Sequence, residues 1–371
     1  MEKNKKSSTT KKISIAKIGL LLLFCVFLSC NKKGAGKAEY KLVQGKQTTS
    51  TFISPLVQIA DEKGFFSEYS LDVETQLVDR SGSFEAVSAG KLDFLTFELV
   101  PHLSYGAQGA DEILFGGTLT GGMAVMANKN VAEEVKDVRN WKGKTIGVKL
   151  LSTSELVSKY VLREEYGFKI DDEVKYKFYN ENEPLIAAVS KGSVDIAFVS
   201  SSFVDSAVSQ GVVYLFPEVD LQKDYVCCRQ VANGSCFNSN KEAFKRLLKG
   251  EIRAYKIYKE NEKEAVDSIV RATHQDEDFV RRTYYSPETS QGAIYNPDPN
   301  FNGVLGDYQI LLDWNYVPRG VELSDFYNIS VYADALSEVI AEFPNEQFYK
   351  DMWAYFLENN DKHPEFNYKK L

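Results

Sequence analysis

Histidine is nearly missing from this chain. Three occur in 371 residues, His102, His274 and His363, and none is paired at a spacing that suits a metal ion. No nucleophile-elbow motif accompanies them, so the sequence does not read as an enzyme and calls for no metal or other cofactor. A phosphate-binding P-loop is missing too, because the glycine-rich stretch GGTLTGGMAVMAN (116–128) has no Gly-Lys-Ser/Thr ending. Positive charge is in deficit. The net charge is −8, which gives no general attraction to nucleic acid or anionic lipid. Long apolar runs are absent as well: Ile18–Leu28 has 11 residues, about 16 Å as a helix against a bilayer core of about 30 Å, and no later run is longer.

That run does have a reading. Lys3, Lys5, Lys6, Lys11, Lys12 and Lys17 precede it, which is the positive-then-apolar order of an export signal over residues 1–29. Leu28-Ser29-Cys30 resembles the bacterial lipobox, with Phe27 an unusual residue three before the cysteine. Cys30 is therefore expected to carry lipid, ordinary cleavage beside an incidental cysteine being the alternative. Residues 30–39, including NKKGAGK, read as a flexible tether. Loss of six lysines and Glu2 with the signal, a net +5, takes the chain from −8 to −13. The expected location is extracytoplasmic, held to a bacterial membrane by the lipid alone.

Past the tether one order of elements occurs twice. AVSAGKLDF (86–94) and AVSKGSVDI (188–196) lie 102 residues apart, each placed as the end of a helix, a glycine turn and the start of a strand. Strands over 71–78 and 174–179 precede these joins. Helices before them stop at Gly64-Phe65 and Gly167-Phe168, where glycine admits a left-handed cap. Ser54-Pro55 reads as N-cap and first helical residue, and Ser152-Thr153-Ser154-Glu155 as a capping box. Strand, helix, strand, helix, strand, twice over, predicts two α/β units with mainly parallel sheets. One lobe is expected over 40–122 and 226–371 and the other over 123–225. They would be joined by GGTLTGGMAVMAN and by a return near DYVCCRQV (224–231), with mostly helical chain from Lys241 onward.

Ligands in open α/β sheets sit beyond the carboxyl ends of the strands, against free helix N-termini. Four such places carry hydroxyl residues: Ser50-Thr51 with Ser54, Ser81-Gly82-Ser83, Ser152-Thr153-Ser154 and Ser200-Ser201-Ser202. Serine is also the favoured N-cap, so each could serve only its own helix. Arg80 and Arg229 could fork onto a carboxylate or sulfonate, or lie in solvent; Glu98 could accept from an amine, or cap a helix start. At 13% aromatic residues the chain can supply a stacking face, with Phe52, Phe97 and Tyr105 as candidates beside the core role most aromatics have. Cys227, Cys228 and Cys236 admit buried thiols, a disulfide or a ligand contact. A hairpin turn at Asn233-Gly234 would oppose Val231 to Cys236 and put Cys228 out of register.

PLVQIADEKGFFSEYSLDVETQLV resembles the opening of the nitrate/sulfonate/taurine and thiamine-pyrimidine-precursor binding proteins of ABC importers. SAGKLDF, WKGKTIGV, KGSVDIAFVSSSF and NPDPNFNGVLGDYQILLDWNYVPRGVELSDFYN follow in family order, so the resemblance spans most of 40–335. It implies the type II periplasmic-binding-protein fold: α/β, two lobes joined by two crossovers, here with a helical C-terminal extension. It implies capture of a small polar solute and delivery to a permease and an ATPase, with a monomer expected. The alternatives are a sensor lipoprotein without a transport role and, behind it, a pyrimidine-synthase-like enzyme. Eukaryotic pyrimidine-synthase relatives of the fold carry a dense cysteine motif for iron chemistry, from which CCRQVANGSC departs.

Overall fold

The computed structural model describes residues 38–47, 54–223, 225–287 and 289–370, together with the backbone but not the side chain of Ser81. The expected export signal, Cys30, most of the expected tether, and Ser50, Thr51 and Phe52 lie outside the described residues. Among the described residues no helix is long and apolar enough to cross a membrane.

Eleven described strands form two sheets. The chain lays down β1 (Tyr40–Gln47), β2 (Leu71–Val78), β3 (Phe94–Glu98) and β4 (Glu112–Thr120) in the first. It crosses to the second for β5 (Met123–Asn128), β6 (Thr145–Lys149), β7 (Lys175–Tyr179), β8 (Ile196–Ser200) and β9 (Val212–Pro217). It then returns through β10 (Val226–Asn233) and β11 (Ile294–Tyr295). The orders are β11-β4-β10-β3-β1-β2 and β7-β6-β8-β5-β9. The sheets therefore match, β2-β1-β3-β10-β4 on β7-β6-β8-β5-β9, with β10 and β5 exchanged between them.

That exchange corrects the expectation of mainly parallel sheets. β1 pairs in parallel with β2 and β3, and β6 with β7 and β8, but β10 runs antiparallel to β3 and β4, and β5 to β8 and β9. A strand that enters from the other sheet arrives at the carboxyl ends of the parallel strands and must run back against them.

The repeated nonapeptide has an atomic explanation. Asp93 Oδ2 accepts from Val43 N at 2.7 Å, and Asp195 Oδ2 from Thr145 N at 2.8 Å. Each aspartate N–H donates back to the same residue's carbonyl, at 3.0 and 2.8 Å. Gly90 and Gly192 turn the chain in the left-handed region at φ +68° and +75°, where a Cβ would be strained. On each turn an asparagine of the exchanged strand caps the helix end: Asn233 Nδ2 donates to Val87 O at 3.1 Å, and Asn128 Nδ2 to Val189 O at 2.7 Å. The motif is thus a clasp fastening helix, strand and exchanged strand together, once per sheet.

Packing follows the sheets. Phe94, Phe115, Phe237 and Phe244 form a fully buried aromatic knot with edge and tilted contacts of 5.0–6.3 Å beside the first sheet. Trp141, fully buried, anchors the second by donating to Val135 O at 2.8 Å while packing on Phe198. Helices Lys241–Glu260, Phe301–Asp313, Ser330–Glu342 and Gln347–Asn359 make up most of the C-terminal part, the first of them packed on the helix Pro55–Glu62.

Asp195→Ala removes the acceptor of a half-buried strand N–H. It should lower unfolding free energy by about 1–3 kcal/mol, seen in urea as a lower midpoint at unchanged slope, with Asp93→Ala behaving alike. A cost below about 0.5 kcal/mol in both would contradict the clasp.

Candidate functional site

The carboxyl ends of β3 and β6 meet between the two sheets. Glu98 closes β3, whose five residues are all buried, and Lys149 closes β6. Asp79 caps the helix Arg80–Ser88, its Oδ1 accepting from Gly82 N at 2.7 Å, and this sets Arg80 on the first turn facing Glu98. One oxygen of the Glu98 carboxylate binds Arg80 Nη2 and the other binds Lys149 Nζ. Arg80 Nη2 also donates to the carbonyl of Leu150 at 2.9 Å, across the sheets. Its guanidinium lies 5.5 and 5.8 Å from the ring centres of Phe84 and Phe97. All three charged residues are less than 10% exposed. Burial pushes the Glu98 carboxyl up, but Lys149 and Arg80 outweigh it and hold the group below the ordinary range. The cluster carries one more positive than negative charge, and Arg80 Nε has no hydrogen-bond partner among the described residues.

A second carboxylate lies next to it. Glu218, on the return to the first sheet, is fully buried and takes a 2.7 Å hydrogen bond from Ser154 Oγ on one oxygen. Burial lifts its carboxyl to about 7, against the smaller opposing effects of Ser154, Tyr225 and Lys149. Thr153 Oγ1 donates to Cys227 O at 3.1 Å, which ties the start of the helix Thr153–Tyr160 to β10. Ser152 accepts from Glu155 N at 3.2 Å as N-cap, but the Glu155 carboxylate turns to Leu151 N at 2.9 Å and to Lys159. Only half of the expected capping box is built, because a cation one helical turn on and the preceding N–H take its other partner.

The structure brings Arg80 and Glu98 together and sets Ser152, Thr153 and Ser154 beside them, the last two already bonded to β10 and to Glu218. It leaves other candidates elsewhere. Ser54 caps the helix Pro55–Glu62 by position only, with no side-chain cap bond. The N–H of Gly82 is committed to Asp79, and the Ser81 side chain is outside the description. Ser83 Oγ donates to Arg80 O at 2.7 Å, within the same turn. The helix begins at Arg80, with Asp79 as its N-cap. Ser201 N donates to Gly122 O at 3.0 Å, on the first crossover. Arg229 is 2% exposed and pinned to Pro299 O at 2.9 Å and Cys228 O at 2.8 Å, apart from the Glu98 cluster. Phe97 lines Arg80, and Tyr105 touches Phe84 at 6.0 Å.

Cys227, Cys228 and Cys236 are free thiols. Cys228 Sγ donates to Cys227 Sγ at 3.3 Å, and that bond with burial raises the Cys227 thiol well above its ordinary value. The hairpin turn considered at Asn233-Gly234 is not there: Asn233 ends β10 and caps a helix, Gly234–Ser239, taking Cys236 N at 2.9 Å. His102 is a buried structural partner of Glu112 at 2.7 Å. Among the described residues no group of three or more His, Cys, Asp or Glu side chains is arranged to hold a metal ion.

Sequence reasoning missed Lys149 and Glu218. Lys149 had a signal: in TIGVK a charge ends an otherwise apolar strand, directly before the capping serines. Glu218 had none, since Pro-Glu-Val after a strand reads as an ordinary turn.

The sequence of residues 54–273 matches the NMT1/THI5-like family model. The chain belongs to the NMT1/THI5-like family. Comparison with curated protein sequences finds no match. Solved structures share the periplasmic-binding-protein fold of this NMT1/THI5-like chain. The ligand-binding component of an ABC-type import system from Staphylococcus aureus, solved with zinc bound, is 16% identical with a TM-score of 0.66, over 80% of this chain and 99% of that one. The nitrate-binding protein NrtA from Synechocystis is 14% identical with a TM-score of 0.65, over 80% and 88%. The aliphatic sulphonate binding protein SsuA from Escherichia coli is 16% identical with a TM-score of 0.61, over 77% and 91%.

Glu218 dictates a pH dependence. A carboxyl whose folded pKa of about 7 lies above its ordinary 4.5 makes the folded state bind the extra proton, so it costs stability progressively as pH rises from 4.5 to 7. Glu218→Gln should remove roughly 3 kcal/mol of that decline. Asp298, Asp307 and Glu251, also raised, add slopes of the same sign. The test is therefore the difference between wild type and variant in urea at pH 5 and 8. Parallel pH profiles would contradict the assignment.

Proposed function

We propose that this protein is the extracytoplasmic solute-binding lipoprotein of an ABC importer, a non-enzymatic capture protein that presents its solute to a permease and an ATPase. The observation that carries the reading is the buried Glu98 carboxylate held between Arg80 on the first sheet's side and Lys149 on the second. In this reading the two sheets belong to lobes over 40–122 with 226–371 and over 123–225, and the solute closes between them. One surplus positive charge in a dry site, present while the adjacent Glu218 carboxyl is protonated, favours a solute with an anionic group, of the sulfonate, taurine or nitrate class. The solute would take Arg80 and Lys149 from Glu98, leaving Glu98 to accept from a donor on the same molecule. The hydroxyls of Ser152, Thr153 and Ser154 and the first-turn N–H groups would complete the wall. Export by residues 1–29 and lipidation at Cys30 would place the protein, as a monomer, at the outer face of a membrane. Those readings rest on the N-terminal sequence and on the company the fold keeps among import-system proteins.

The test is a thermal-shift panel on chain from Asn31, refolded to strip any copurified solute, with taurine, alkanesulfonates, nitrate, aminopyrimidines and riboflavin. A ligand at 100 times its dissociation constant adds about 2.7 kcal/mol, a rise of several degrees. A sulfonate, taurine or nitrate should give it, and Arg80→Met and Lys149→Met should each abolish it. A shift confined to aminopyrimidines and lost in Glu98→Gln would overturn the anionic class, and no shift from any compound would count against capture itself.

A further inference from the structure

A cavity of about 560 Å³ opens between the first sheet and the C-terminal helices, and it shares no lining residue with the Glu98 cluster. Arg229 on β10, Asp298, Tyr255 and Tyr332 are its buried wall. Two of these are unsatisfied. Asp298, 2% exposed, uses Oδ1 for Asn300 N at 2.8 Å and Asn360 Nδ2 at 3.0 Å, while its Oδ2 has no partner among the described residues. The hydroxyl of fully buried Tyr332 has none either. A buried polar atom without a partner costs about 1–3 kcal/mol, a cost a bound hydrogen-bonding group would offset.

The mouth has one sign of charge. On the helix Gln347–Asn359, Asp351, Tyr355 and Glu358 fall one and two turns apart along a single face, all exposed and all lining the cavity. Against these carboxylates and Asp298 stands Arg229 alone, with Nε and Nη1 already bound to backbone carbonyls. Burial lifts the Asp298 carboxyl only to about 6, so it is largely ionised at neutral pH. Tyr255, Phe348 and Tyr355 make the lining aromatic, a composition that favours an ammonium over an anion. An anion would meet carboxylates at the entrance, whereas an ammonium would find negative charge at the mouth, aromatic side chains along the wall and the Asp298 carboxylate within it.

We propose that this cavity is a second ligand site, built for a small organic cation bearing one or two amines. It goes beyond the capture of an anionic solute and does not depend on it.

Isothermal titration of the full chain with putrescine, spermidine and choline, at matched ionic strength, tests the site. At least one should bind saturably, and Asp351→Asn with Glu358→Gln should weaken it about tenfold or more. Those exposed positions are chosen because Asp298 also holds Asn300 and Asn360, so its loss could disturb folding. Tyr332→Phe should weaken binding too, while raising the melting temperature of the free protein, because it removes a buried hydroxyl that has no partner among the described residues. The proposal is overturned if none of the three amines binds saturably to native protein. It is equally overturned if binding survives the mouth pair and is lost in Glu98→Gln, which would assign the amine to the cluster between the sheets.

Discussion

A single carboxylate shared by two cations sets the relation of the two sheets. Glu98 lies where water is excluded, and an isolated charge there would cost several kcal/mol. Arg80 offsets that cost from the first sheet's side and Lys149 from the second, and Lys149 does so only while the ends of β3 and β6 stay together. The guanidinium's further bond to Leu150 O and the Thr153 bond to Cys227 O act across the same seam. Taking away Glu98 leaves two uncompensated cations facing each other, so the seam depends on this one carboxylate. In the proposed capture role, a solute that competes for the cations would act on the whole seam.

The clasps of Asp93 with Asn233 and Asp195 with Asn128 make the seam possible. They fix where each parallel strand starts, and therefore where its far end delivers Glu98 or Lys149. Exchange of β5 and β10 between sheets means that each clasp takes its asparagine from the strand that crosses. The fold thereby joins the two sheets twice and repeats one local geometry in both.

Much of this was legible in the sequence, for physical reasons. The strand over 71–78, the stops at Gly64 and Gly167 and the repeated Gly-x-x-Asp turn are local devices, and local devices leave local marks. The antiparallel insertion of β5 and β10 is decided by which sheet a strand joins, and nothing within MAVMAN or VCCRQVAN states that. Asn233-Gly234 has the composition of a tight turn, yet Asn233 serves as helix cap and clasp because the surrounding strands hold it there. The hydroxyl residues were legible as N-terminal residues of helices, but Thr153 and Ser154 already hold β10 and Glu218, which no spacing could reveal. Arg80 and Glu98 were read as separate candidates of opposite sign. That they share one bond, with Lys149 as the third member, is a long-range fact.

The account stands or falls on the Glu98 bridge. Small-angle X-ray scattering of chain from Asn31, wild type against Glu98→Ala, measures it most directly, with far-UV circular dichroism to verify unchanged secondary structure. Repulsion between Arg80 and Lys149 should part the sheets, giving the variant a larger radius of gyration. Superimposable scattering curves from two folded proteins would contradict the claim that this carboxylate holds the halves together.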